Sequence, residues 1–201
     1  MTQNTTLDYY NQNAQSYFNR TRNEHPLQAL QAFTEQVSPG GRILDAGCGS
    51  GRDFRFFHQK KFTVEGFDGS SELLKLAQAD PIPTECRLWV ADFMFLSLKK
   101  EFYDGIWAHD VLGHFHPDGC RRIVAGFFQS LRPGGILFAS FEEGSGAYED
   151  RTDNPLGPAR QLYRYELNDT ASLLRQHGFQ WISQGRNLNS SLQFGYLAKR
   201  I

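Results

Sequence analysis

The chain has 201 residues and a formal net charge of −1, from 21 basic and 22 acidic side chains. That length suits one domain that buries its own core, and the balanced charge argues against a surface built for nucleic acid or an anionic membrane. Cys48, Cys86 and Cys120 are too far apart for a close metal-ligand pair or an iron–sulfur cluster and read as reduced thiols. Met1 to Tyr10 is polar, and no apolar run approaches the roughly 20 residues of a membrane helix. These features predict a soluble, cytoplasmic protein acting on small molecules.

Leu7, Tyr10, Ala14, Tyr17 or Phe18, and Thr21 recur at helical spacing. With Thr5 or Thr6 placed to cap it, the stretch predicts one amphipathic helix ended by His25-Pro26. A second helix runs from about Pro26, with Leu27, Leu30, Phe33 and Val37 on one face, and closes at Pro39-Gly40-Gly41. Arg42 to Asp53 then reads as strand, tight turn and helix start, with glycines alternating at Gly47, Gly49 and Gly51. Glycine is needed where a chain reversing from strand to helix takes positive φ and where a ligand approaches the backbone closely.

The turn is Gly-x-Gly-x-Gly, because Arg52 stands where the dinucleotide fingerprint has its third glycine. Asp45, just before it, would repel a pyrophosphate and attract an ammonium. A ligand with adenosine at one end and a zwitterionic amino acid at the other fits, and S-adenosylmethionine (SAM) is that molecule. Val64 to Asp68 predicts a second strand, and Asp68 falls about twenty residues on, where such folds place a ribose-binding carboxylate.

At Leu44-Asp45-Ala46-Gly47-Cys48-Gly49-Ser50-Gly51 the chain resembles the class I SAM-dependent methyltransferases, in their small-molecule, tellurite-resistance-like branch. The resemblance implies a Rossmann-like α/β fold: a seven-stranded, mostly parallel sheet with the last strand antiparallel, helices on both faces and an N-terminal helical lid. It implies that SAM contacts Asp45, Ala46, Gly47, Cys48, Gly49, Gly51 and Arg52 in the turn, then Asp68, Gly69 and Ser70. Asp92 would accept the adenine amino group, with Phe93 flanking the ring. Asp8 to Tyr17 is similar to the family's lid helix, which puts Tyr17 over the methionine end.

Phe54, Phe56 and Phe57 predict the helix after the turn, Phe62 to Phe67 a strand, Ser71 to Ala79 a helix, and Arg87 to Ala91 a third strand. The alternation implies a parallel sheet covered on both faces. Tyr103 to Leu112 is the fourth strand and its exit, which brings Ala108 and His109 to the cofactor and His109, Asp110, His114 and His116 to the transferable methyl. The acidic or amide residue followed by two prolines, usual in enzymes that methylate base nitrogens, is missing there. His114, then His109, are the candidate general bases for a hydroxyl acceptor. These four are ligand types for a metal, but their spacing matches no zinc signature and no metal is expected.

Cys120 to Leu131 predicts a helix stopping before Pro133-Gly134-Gly135, and Ile136 to Phe141 a fifth strand. Glu142 to Arg160 is long, polar and glycine-rich, an expected active-site flap. Leu162 to Glu166 resembles an element that closes the substrate pocket. Asn168 or Asp169 would cap the next helix, ending at Gly178, followed by a strand at Phe179 to Ser183. Leu192, Phe194, Tyr196 and Ala198 alternate as a last strand, joined to the one before by an Asn-rich turn. The expected organisation is one domain: a lid over 1–40, a SAM-binding core over 41–141, the flap over 142–166, and a helix and hairpin over 167–201. A nicotinamide-dependent oxidoreductase and a noncatalytic SAM-binding protein are the alternatives.

Overall fold

The computed structural model describes residues 2–79, 82–186 and 193–201. Two helices open the chain, α1 (Thr2–Gln12) and α2 (Ala14–Thr21), where the sequence pattern predicts one. Asn13 makes the break: its side-chain amide donates to the Tyr9 carbonyl at 2.8 Å, and its backbone leaves helical geometry at φ −107°, ψ 14°. Short polar side chains compete with the helix for backbone partners in this way. Because α1 starts at Thr2, Thr6 is no cap; its hydroxyl accepts from the Gln161 backbone at 3.0 Å.

Next come α3 (Leu27–Gln36), β1 (Arg42–Ala46), α4 (Arg52–Gln59), β2 (Thr63–Asp68), α5 (Ser71–Gln78), β3 (Arg87–Val90) and β4 (Tyr103–Ala108). A 3-10 turn at Leu112–His114 leads to α6 (Pro117–Ser130), β5 (Leu131–Glu143), β6 (Ala147–Asp150) and β7 (Arg160–Tyr165). The chain closes with α7 (Leu167–Gln176), β8 (Phe179–Arg186) and β9 (Gln193–Arg200). Among the described residues, parallel strands run β3-β2-β1-β4-β5, and β9 lies antiparallel between β5 and β8. These seven make the expected sheet with its last strand reversed.

Pleating sends alternate strand residues to opposite faces, so each core strand must be apolar on both. Leu44, Ile106, Ala108, Leu137 and Ala139 pack with Ile123, Val124 and Phe127 of α6 and Leu174 of α7. Ile43, Trp107, Ile136 and Phe138 pack on the other side with Leu30 and Phe33 of α3 and Phe54 and Phe57 of α4. The fit is close at Gly105, where a Cβ would stand 2.7 Å from the Phe33 ring. Truncating Phe33, which is fully buried, to alanine costs about 3–5 kcal/mol.

The stretch from Glu142 to Arg160, expected as a flap, contains the end of β5 and all of β6, and an irregular segment then leads into β7. β7 pairs parallel with the end of β5, and β6 pairs antiparallel with β7. Glu142 fastens the arm, accepting from Arg164 at 2.7 Å and from the Tyr148 hydroxyl at 2.5 Å. The N-cap of α7 is Glu166, ahead of Asn168 and Asp169, and Gly178 closes the helix at φ 88°. Leu192 and the Asn-rich turn lie outside the described residues. Neighbouring β1 and β4 feed helices on opposite faces, so a crevice opens at their carboxyl ends.

Candidate functional site

A cleft occupies that crevice. Its floor is the turn after β1, where Gly47, Gly49 and Gly51 take φ of 79°, 49° and 73°. The Gly47 and Cys48 amides both donate to the Phe67 carbonyl, at 2.8 and 3.0 Å, which holds the turn against β2. At Gly47 a Cβ would collide with Val111 at 2.7 Å, so only glycine fits the backbone here.

Asp45 and Asp68 both line the cleft. Asp45 is 3% exposed, and its Oδ2 is buried without a hydrogen-bond partner. Burial, with the charge of Asp53 behind it, pushes its carboxyl well above the usual range. Because Asp45 is part of the cleft wall, this oxygen is a candidate partner for a cation there. The Asp68 carboxylate accepts from the backbone N–H of Gly49 at 2.9 Å and of Ser70 at 2.8 Å, which fixes its orientation at the end of β2. Burial raises its pKa against these bonds.

Beneath Asp45 lies a polar cluster that the sequence reading did not find. Asp53 accepts from Trp107 Nε1 at 3.0 Å and lies 3.3 Å from Arg52 Nε, with His109 and His25 each at 3.6 Å. Burial opposes its charge, but the His25 ring and the Arg52 guanidinium hold its carboxyl below the usual range. Arg52 donates to His109 Nδ1 at 2.8 Å, so the ring proton of His109 sits on Nε2. The one signal in the sequence is Asp53 itself, an acid in the first turn of α4.

Asp92 accepts from the Met94 amide at 2.8 Å, and the Phe93 ring packs between Phe67 and Phe115 with centroids 4.5 and 5.2 Å away. The lid covers the opposite side. Tyr10 meets Tyr17 and His114 edge to face at 5.1 and 5.4 Å, and all three line the cleft. Arg160 of β7 reaches across to donate to the Tyr10 hydroxyl at 2.8 Å. From the loop before β7, Asp153 accepts from Tyr9 at 2.6 Å and pairs with Arg20 at 2.9 Å, tying both lid helices down.

Of the residues named from sequence, the structure brings Tyr17, Asp45, Gly47, Cys48, Gly49, Arg52, Asp68, Gly69, Asp92, Phe93, His109 and His114 into one cleft. Ala46 and Ala108 are fully buried in the core beneath it. Gly51 caps α4, and Ser70 caps α5 by accepting from Leu73 N at 3.2 Å. His116, read as facing the cleft, instead caps α6, its Nδ1 accepting from Asp118 N at 3.3 Å. The 3-10 turn at Leu112–His114 carries it away. Among the described residues, no group of three or more metal-ligating side chains is present.

A doubly covered sheet with a reversed last strand and a glycine turn flanked by two acids defines a methyltransferase fold. Residues 43–135 match the family model described as a methyltransferase domain. The chain is 31% identical over 121 residues to the methyltransferase GfsG of Streptomyces halstedii, covering 55% of this chain and 43% of that protein. It spans less than half the length of the first curated relatives it matches. The fold is similar to that of Burkholderia thailandensis 1,6-didemethyltoxoflavin-N1-methyltransferase, solved with 1,6-didemethyltoxoflavin and S-adenosylhomocysteine. That match has a TM-score of 0.70 and 22% identity, over 89% of this chain and 79% of that one. A TehB-like SAM-dependent methyltransferase of Corynebacterium glutamicum gives 0.72 at 19% identity, over 94% and 98%. Residues 43–135 are thus similar to a methyltransferase domain, and the fold is that of SAM-dependent methyltransferases.

Proposed function

We propose that this protein transfers a methyl group from SAM to a small-molecule acceptor, working as one domain: a lid over residues 1–40, a donor-binding core over 41–141, an arm over 142–166 and a C-terminal unit over 167–201. The observation that carries this reading is the unpartnered Asp45 Oδ2, buried in the same cleft as the backbone-anchored Asp68. Asp45 would hold the ammonium of the donor's amino acid, and Asp68 the ribose hydroxyls. Asp92 and Phe93 would hold the adenine. When bound, the sulfonium supplies an electrophilic methyl group. The relatives and the reversed last strand lend no support to a nicotinamide enzyme.

The protein's own contribution is alignment and exclusion of water, a term worth up to about 7–11 kcal/mol for well-placed partners. His114 and His109 act as walls in this reading. Nδ1 of His114 lies 3.3 Å from the Gln161 carbonyl and donates to it, so Nε2 accepts from Tyr10 at 2.9 Å. That leaves no lone pair for an acceptor's proton. No helix among the described residues is long and apolar enough to cross a membrane. The three unpaired cysteines support a reducing, cytoplasmic setting.

Thermal unfolding in the presence of ligand tests the reading. Ligand that binds only the folded state stabilises it by RT ln(1 + L/Kd) at free concentration L, so Tm rises with ligand concentration. SAM and S-adenosylhomocysteine should each raise it, and NADH should not; the reverse pattern would sink the proposal.

A further inference from the structure

Resting on the donor-site reading above, we propose that the methyl acceptor is a small amine and that Asp110 is the side chain that orients it. Asp110 leaves β4 with φ 58°, a left-handed conformation uncommon outside glycine, and its backbone N–H is pinned by donation to the buried Ser140 Oγ at 2.8 Å. Strain of this kind persists where the surroundings fix it, and it gathers at functional sites. The carboxylate lines the cleft beside Tyr10, Tyr17 and His114. The Nε2–H of His109 faces its Oδ2 at 3.5 Å. Its charge acts on both tyrosines, on His114 and on Arg52, all of which line the same cleft.

The other charges around this space separate three classes of acceptor. Arg52 is held against Asp53 and His109 and also meets the Asp110 charge, and Arg160 is paired with Asp150 at 2.6 Å, so neither guanidinium on the wall stands apart from a carboxylate. A thiolate or carboxylate acceptor would meet the Asp110 charge and would be repelled. A hydroxyl would need a general base, and the Nε2 of His114 is already engaged by Tyr10. A free amine brings its own lone pair and needs no base. Asp110 can accept one of its N–H bonds and turn the lone pair toward the methyl group.

The charges balance without a further reactant. The amine enters as its free base; its nitrogen lone pair forms the N–C bond as the C–S bond breaks, and that electron pair stays on sulfur. The positive charge thus moves from sulfur to nitrogen, toward the Asp110 carboxylate, where it is better stabilised in the transition state. The N-methyl ammonium leaves with its proton and gives it to water.

The test uses the full chain, labelled SAM, and size-matched alkyl and aryl primary amines, alcohols, thiols and carboxylates. The proposal expects N-methyl products by mass spectrometry from amines alone, with kcat/KM rising toward the amine's own pKa. Asp110→Asn, chosen because asparagine tolerates the left-handed backbone, should lower amine kcat/KM about 100-fold. Calorimetry on the S-adenosylhomocysteine complex should show amine binding weakened in the variant, with nucleoside affinity unchanged. Methylation on sulfur or oxygen, no amine methylated by a protein that binds S-adenosylhomocysteine, or undiminished amine turnover in the variant would overturn it. Absence of nucleoside binding to the wild-type protein would instead overturn the donor-site reading on which it rests.

Discussion

Tyr10 and His114 stand 104 positions apart, yet the Tyr10 hydroxyl donates to His114 Nε2 across 2.9 Å. Arg160 donates to the same phenol oxygen at 2.8 Å, so α1, the turn after β4 and β7 are joined over the cleft. A chain of bonds from guanidinium to phenol to imidazole polarises in one direction, which strengthens each link in a low-dielectric setting. The lid is therefore fastened by partly buried polar groups as well as by apolar contact.

His114 should stay uncharged throughout the physiological range. Burial and then the Arg160 charge push its pKa down to about 4, below the ordinary 6.5. A lowered histidine pKa means that the unfolded chain binds more protons between these values, so stability falls as pH drops from about 6.5 to 4. NMR of the histidine ring protons should give a midpoint near 4 for His114. A midpoint near 6.5 would show that the lid does not bury the ring.

Tyr10→Phe keeps the ring and removes the hydroxyl. His114 and Arg160 each lose a partner, and leaving buried groups unsatisfied costs about 1–3 kcal/mol. The expected outcome is faster hydrogen exchange in α1 and a raised KM for the acceptor, with β1 and β4 still protected. Unchanged exchange in α1 would mean that the hydroxyl does not hold the lid.

What could be read from the sequence was what contiguous residues decide. Strand, glycine turn and helix start lie within Arg42 to Asp53, so Asp45 and the turn were visible at once, and the spacing to Asp68 followed from the βαβ unit. The contact of Arg160 with Tyr10 spans 150 positions and carries no period, so nothing in the sequence announced it. The break at Asn13 was hidden because apolar spacing continues through it, while a side-chain bond to the Tyr9 carbonyl decides the geometry. The arm from β6 to β7 was polar enough to pass for an irregular loop; its strands are stabilised by Glu142, Tyr148 and Arg164 rather than by an apolar face.

Asp45→Asn should stabilise the ligand-free protein while weakening donor binding. The Asp45 pKa is raised in the fold, so the folded state binds more protons above pH about 3.8 and its contribution is lost as pH rises through the elevated value. Replacing the carboxylate should add about 1–3 kcal/mol at neutral pH, the cost of a buried charge with one oxygen left without a partner, and nothing near pH 4. Denaturant titrations at both pH values measure this. A variant less stable than wild type at neutral pH would indicate that Asp45 has a structural partner.

The most direct measurement is a calorimetric titration of S-adenosylhomocysteine into the wild-type protein and into Asp68→Asn. We expect one site of micromolar affinity in the wild type and its near disappearance in the variant, whose unfolding temperature should remain close to wild type. A wild-type protein that takes up no nucleoside, or a variant that binds as tightly, would contradict a donor gripped by Asp45 and Asp68.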